Sequence, residues 1–241
     1  MMTEKMESIQ KPGRIESSYR METVEGLELW RLGRDRFSDF NQFVYGVYSE
    51  AFGENGKIPF EKRDIEAASD EHFDHARVCA VIHPDGTLLG TWGLILKERS
   101  DSALLPIEKA FSLTTEEIIS KMNATEVRYI FNGWRTAVDK NALLDHGFAA
   151  NRSMFVFDLL LRGLTEDFGK PEWFLGVAEM EMLVLRYHKR VGLPWHVLGD
   201  PITGGAIAFR VLFPSSSFAR LFAFITRIAS VFFTSVRVFY P

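Results

Sequence analysis

A chain of 241 residues is long enough for one large domain or two small ones, and its 46% hydrophobic and 25% charged residues are the balance of a protein that buries a sizeable core. A net charge of −4 argues against a nucleic-acid binder that relies on an overall positive field. The single cysteine, Cys79, excludes an intramolecular disulfide and fits a reducing compartment; it lies in an apolar run where a buried thiol is expected.

Residues 1–26 are polar and lack an apolar h-region, so they are expected to form a flexible arm with no secretory signal. Leu27–Leu32 is the first expected strand. Phe40, Phe43, Val44, Val47, Tyr48 and Ala51 then recur at helical spacing and predict a helix over 38–52, capped by Ser38 and ended by Gly53. A short helix is expected through Asp64–Ala68. Arg77–His83 and Thr87–Lys97 form a predicted hairpin about Pro84-Asp85-Gly86, and Gly90 and Gly93 in its second strand indicate a bulge or a close backbone approach. Thr114-Thr115-Glu116-Glu117 is a capping pattern that opens a helix to about Met122.

Glu126–Val138 reads as a strand, Asn151–Leu164 as an amphipathic helix, Trp173–Met180 as a buried strand and Leu183–Val191 as a short helix. Trp195–Gly199 and residues 203–213 read as further strands. This order argues for an α+β domain over 27–213, with a mixed, mostly antiparallel sheet and helices on both faces. Residues 214–241 stand apart: Phe218, Leu221, Phe222, Ile225, Ile228 and Phe232 make an amphipathic stripe, with Arg220 and Arg227 away from it. Such a helix either packs on the protein's own body or, over 217–236, meets a membrane surface or a partner. No apolar run is long enough to span a bilayer, and the six histidines show no paired spacing that marks a metal site.

Arg135 stands inside the apolar and aromatic run Tyr129–Lys140, where a bare charge is costly unless it is paired or lines a site. Four other strings accompany it: Glu71-His72-Phe73-Asp74, Gly90-Thr91-Trp92-Gly93-Leu94, Leu104-Leu105-Pro106-Ile107-Glu108-Lys109-Ala110-Phe111 and Arg186–Leu193. With the order of elements, these make residues 28–212 resemble the GCN5-related N-acetyltransferase superfamily, in particular its acyl-homoserine-lactone synthase and long-chain N-acyl amino acid synthase branch. The strings look like that branch's D-x-x-D, G-T-x-R-L, L-P-x-E-x-x-F and E-x-[SG]-R-x-A-V, and the superfamily's Y-x-x-x-G-F. Gly93 replaces the arginine of the second, and Asn132 replaces the glutamate of the fourth. The segment Lys140–Asn151 holds only Gly147 where acetyltransferases carry a glycine-rich loop for the coenzyme A pyrophosphate.

The resemblance implies acyl transfer from a thioester to an amine, in which a backbone N–H on the central strand polarises the carbonyl and no catalytic Ser or Cys is required. An amide at position 132 is no general base, so Glu179 and Glu126, with Glu108 behind them, are the candidate bases, and Tyr187 or His188 the acid for the departing thiolate. Arg135 either binds a substrate carboxylate or pairs with Glu71 or Asp74; Asn132 and Trp134 flank it on the same strand. Arg152, Arg162, Arg186, Lys189 and Arg190 form a basic set suited to an acidic acyl carrier protein. The loop without pyrophosphate glycines favours acyl-phosphopantetheine on that carrier over acyl-coenzyme A as co-substrate, with no tightly bound cofactor. The expected protein is therefore a cytoplasmic N-acyltransferase, peripheral to the membrane if residues 217–236 bind it. A fold-retaining binding protein without catalysis and an acetyl-coenzyme A enzyme are the rivals.

Overall fold

The computed structural model describes residues 14–52, 61–149, 152–165, 174–180, 197 and 207–208. Tyr19–Val24 (β1), Leu27–Arg31 (β2), Ala76–Ile82 (β3), Leu88–Glu98 (β4), Tyr129–Val138 (β5) and Phe174–Val177 (β6) lie side by side in that order as a six-stranded sheet. All neighbours are antiparallel except β5 and β6, which run parallel. Glu179–Met180 (β7) leaves this sheet and pairs with Ile207–Ala208 (β8). The mixed, mostly antiparallel sheet matches the expected fold class.

Residues 1–26 are not wholly an arm, because Tyr19–Val24 is β1. It turns into β2 through Glu25 and Gly26, both at positive φ (49° and 79°), as a two-residue hairpin turn that follows strand twist requires. An edge strand whose residues are exposed or half-buried carries no apolar alternation, so its sequence reads as a polar arm. The helix expected over 64–68 is longer, Lys62–Phe73 (α2), and the strand expected from Glu126 begins at Tyr129.

One face of the sheet is covered by Phe37–Phe52 (α1), α2, Pro106–Phe111 (α3) and Thr115–Lys121 (α4). Phe40, Val44, Ile65, Phe73, Ile107 and Ile118 pack there with Val78, Ala80, Ile82, Ile130 and Trp134. Thr114 caps α4 as its sequence indicates, its hydroxyl accepting from Glu117 N while Glu117 accepts from Thr114 N at 2.7 Å. The other face carries Lys140–Asp145 (α5) and Arg152–Thr165 (α6), whose Val156, Leu159, Leu160 and Leu164 bury Leu27, Leu29, Cys79, Val81 and Leu94. A Cβ at Gly90 would stand 2.5 Å from Val156 Cγ1, so glycine lets α6 lie directly on β4. Two buried arginines close the far end of α6: Arg31 donates to Gly163 O at 2.8 Å and Arg77 to Leu164 O at 3.4 Å. They satisfy helix-end carbonyls and place cations at the negative end of the helix dipole.

The helices expected over 183–191 and within 214–241, and most of the strands expected over 195–199 and 203–213, lie outside the described residues. Among the described residues, no helix is long and apolar enough to cross a membrane.

Candidate active site

Strand β5 changes character halfway along. Its parallel pairing with β6 runs from Tyr129–Phe174 to Asn132–Val177 and ends there, while the chain after Val177 peels away into β7. On its other side β5 pairs with β4, and the register slips between Thr91–Ala137 and Gly93–Trp134, so Arg135 and Thr136 together face Trp92. That is a β-bulge. It explains why Trp134 and Ala137, three positions apart, both bury on the same face. Arg135 takes the left-handed conformation at φ 51°, a cost of about 1–2 kcal/mol for a residue with a Cβ. Two side chains hold the bulge: Thr91 Oγ1 donates to Arg135 O at 3.4 Å, and Tyr48 Oη donates to Thr136 O at 3.3 Å. From Gly133 onward the outer edge of β5 has no strand partner among the described residues, and the sheet opens as a wedge.

Each side of the wedge presents distinct chemistry. On the α6 side, the Trp92 indole packs edge-on against Phe157 at 6.3 Å, and its Nε1 lies near the Cβ position of Gly133. This indole N–H is buried without a hydrogen-bond partner among the described residues, an arrangement that favours a ligand acceptor. On the α2 side, the Arg135 guanidinium lies 5.8 Å from the Trp134 ring and donates to Ile65 O at 3.4 Å. His72, half-buried, meets Trp134 edge-on at 6.3 Å, with Nε2 3.6 Å from Glu71 Oε2. Burial pushes the His72 pKa down; nearby Glu71 opposes this, while Lys109 and Arg135 add to it, so the surroundings favour the neutral imidazole.

The residues singled out in the sequence fall into separate groups. Arg135, Trp134, Asn132 and Glu71 gather near the bulge, but Glu71 pairs with Lys109, which lowers its pKa, not with Arg135. Asp74 is bound by Arg34 at 2.5 Å, which likewise holds its pKa down. Asn132 is fully buried: Oδ1 accepts from Ile107 N at 3.0 Å and Nδ2 donates to Gly133 O at 2.7 Å. It thus caps the first turn of α3, where Pro106 has no N–H to satisfy. Glu108 is also buried and surrounded by donors: Lys97 Nζ at 2.7 and 2.9 Å, Leu105 N at 2.7 Å and Thr115 Oγ1 at 2.5 Å. With those partners it has no lone pair to spare for a substrate proton.

Glu126 is exposed in a shallow depression with Arg99, Glu116 and Arg128, before the start of β5 and roughly 20 Å of strand from Arg135. Glu179 lies in β7, two positions past the last rung between β5 and β6. Arg152 is paired with Glu25 at 2.6 Å and stacks on Phe155 at 4.0 Å, and Arg162 pairs with Glu22. Arg186, Tyr187, His188, Lys189 and Arg190 lie outside the described residues. The first half of the segment without pyrophosphate glycines folds as α5, capped by Asp139, which accepts from Ala142 N at 2.9 Å. Sequence reasoning assigned neither His72 nor Trp92 a role, although both stand inside strings it quoted.

An antiparallel sheet closed by one parallel pair, with a bulged central strand and a wedge beside it, is the fold of the GCN5-related N-acetyltransferases. Among solved structures, FeeM, an N-acyl amino acid synthase from uncultured soil microbes, matches with a TM-score of 0.52 at 14% identity, over 77% of this chain and 90% of that one. A GNAT-family acetyltransferase from Staphylococcus aureus Mu50 has a TM-score of 0.48 at 13% identity, covering 78% of this chain and 99% of its own. The acyl-homoserine-lactone synthase LasI has 0.45 at 15% identity, covering 80% and 92%. No family model and no curated protein matches the chain.

Proposed function

We propose that this protein is an N-acyltransferase that moves an acyl group from a phosphopantetheine thioester to the amine of an amino acid or related metabolite. The observation that carries this reading is the bulge at Arg135–Thr136 beside the end of β5–β6 pairing, which leaves the outer edge of β5 without a strand partner among the described residues, next to a strained arginine. The thioester enters the wedge from the α6 side, its carbonyl oxygen taking hydrogen bonds from the free edge of β5 and from Trp92 Nε1. The acceptor approaches from the α2 side with its carboxylate on Arg135. Its neutral amine attacks the carbonyl carbon, the C–N bond forms, and His72 takes the proton that the nitrogen loses. The C–S bond then breaks, and Tyr187 or His188 protonates the thiolate. His72 serves here in place of the glutamate that Asn132 replaces; Glu179, at the mouth of the wedge, is the other candidate base.

Acyl carrier protein is the preferred donor, because the segment Lys140–Asn151 holds one glycine, Gly147, and its first half is the helix α5. The fold shared with FeeM agrees with an N-acyl amino acid product. The test is turnover of acyl carrier protein thioesters and acyl-coenzymes A against a panel of amino acids, with Arg135→Gly alongside the parent. Loss of the left-handed strain raises stability by about 1 kcal/mol in that variant, while KM for the acceptor rises and turnover falls. Unchanged kinetics in Arg135→Gly remove Arg135 from the site; no turnover of any thioester favours a binding protein, and turnover only with acetyl-coenzyme A favours an acetyltransferase.

A further inference from the structure

At the end of the sheet carrying the β3–β4 turn, two side chains of that turn meet a third from 61 positions further along the chain. His83 follows β3, Asp85 lies in the turn before β4, and His146 follows α5. One ligand atom from each lies within 4.8 Å of the others, and the two imidazole rings are 4.2 Å apart. The turn is held by His83 N to Thr87 O at 2.9 Å, Gly86 N to His83 O at 2.8 Å and Thr87 N to Asp85 Oδ1 at 2.9 Å. Each of the three side chains is at least partly open to solvent.

With His146 neutral, one contact of this cluster sets acceptor against acceptor. His146 Nδ1 lies 2.7 Å from Ala142 O, which only accepts, so Nδ1 carries the proton. In a neutral ring Nε2 then presents a lone pair, yet it faces Asp85 Oδ2 at 2.8 Å, another acceptor. His83 Nδ1 faces Asp85 Oδ1 at 3.0 Å. A charge on His146 alone satisfies these contacts, its Nε2–H donating to Asp85, while a neutral His83 meets Asp85 through Nδ1. A divalent cation can take the place of that proton and accept a lone pair from each of the three side chains, and the Ala142 carbonyl that fixes the His146 tautomer is the outer-shell partner metal-bound histidines use. Donors spanning a tetrahedral zinc ion stand roughly 3.3 Å apart; here the two histidines lie 2.8 and 3.0 Å from the two Asp85 oxygens, and all three ligand atoms lie within 4.8 Å.

We propose that His83, Asp85 and His146 bind a borderline divalent cation of the zinc class, leaving outer positions to water and clipping the β3–β4 turn to the chain that follows α5. Two imidazoles and one carboxylate suit zinc, cobalt or nickel better than calcium or magnesium. Binding displaces any proton shared between His146 and Asp85, so it weakens as pH falls. The site requires no assumption about acyl transfer.

The test is titration of the full, tag-free chain at pH 7.5 with cobalt, read by its visible d–d bands, and with zinc by calorimetry. His83→Gln and His146→Gln are measured beside His75→Gln, an exposed histidine outside the cluster, with circular dichroism as the check on folding. The parent and His75→Gln are expected to bind one equivalent with tetrahedral cobalt bands, and the two cluster variants to bind about 100-fold more weakly or not at all. Equal binding by the cluster variants overturns the proposal. So does a parent that binds neither metal while His146 titrates by NMR as an imidazolium paired with Asp85.

Discussion

Removing the Glu108 carboxylate tests whether the floor beneath the candidate site is held by one buried ion pair. The Glu108 side chain is 0% exposed and that of Lys97 5%. In Glu108→Ala the Lys97 ammonium keeps its burial and loses its counter-ion, which costs about 3–5 kcal/mol. Leu105 N–H also loses its acceptor, adding roughly 1 kcal/mol, whereas the Thr115 hydroxyl can rotate away. In a chain of this size each kcal/mol moves the melting temperature by about 2–4 °C, so a fall of roughly 8–24 °C is expected. Lys97→Met leaves the carboxylate with Leu105 N–H and Thr115 Oγ1 and is expected to cost less. The double variant Lys97→Met/Glu108→Leu, with no unpaired charge left, is expected to fall short of the summed single losses by about 2 kcal/mol or more. Urea unfolding of the parent and three variants measures the cycle, and Glu108→Gln provides a milder perturbation if the alanine variant does not accumulate. A loss under about 1 kcal/mol in Glu108→Ala, or strict additivity, would refute this account.

The remaining predictions concern the bulge and the opposite face. With His72 as the base, the acid limb of kcat/KM has its midpoint below 6.5, because burial depresses the imidazole. His72→Gln lowers the rate by about 100-fold or more and abolishes that limb; a limb that survives the substitution assigns the base elsewhere. Asn132→Glu, which restores the resembled family's residue, is expected to lower stability by about 2 kcal/mol without raising turnover, since a longer charged side chain enters a fully buried site and loses the bond to Gly133 O. A gain in activity contradicts the capping role. Burial raises Asp158 to a pKa of about 6. Its protonated form is thus favoured in the fold, so stability is whole below about pH 4 and declines as pH rises through 6. Asp158→Asn is expected to stabilise the protein at pH 8 by about 1–3 kcal/mol and to change little at pH 4; equal effects at both pH values contradict a titrating carboxyl.

Much of the frame was legible because its signals are local. The β3–β4 hairpin announces itself by Pro84-Asp85-Gly86 between apolar runs, α4 by its capping box, and α1 and α6 by their apolar spacing. Helices α3 and α5 were not foreseen as elements. Six residues are too few to nucleate a helix alone, and their ends are held by Asn132, Glu108 and Asp139. The site was half legible: Arg135 drew notice as a charge in an apolar strand, and the motif order pointed to the fold. Asn132 reads in sequence as a missing base, whereas its partner, Ile107 N, lies 25 positions away.

The sequence alone determined which segments could become strands and helices, because pattern, turn chemistry and caps act over a few residues. Tertiary structure decided what those segments do. A register slip between β4 and β5 turned Arg135 into a strained bulge residue, and the parting of β5 from β6 opened the wedge. Burial lowered the pKa of His72, and the sheet's end brought His83 and Asp85 to His146. Pairing register, burial and convergence are properties of contacts between distant residues, so they take their values only once the chain has folded.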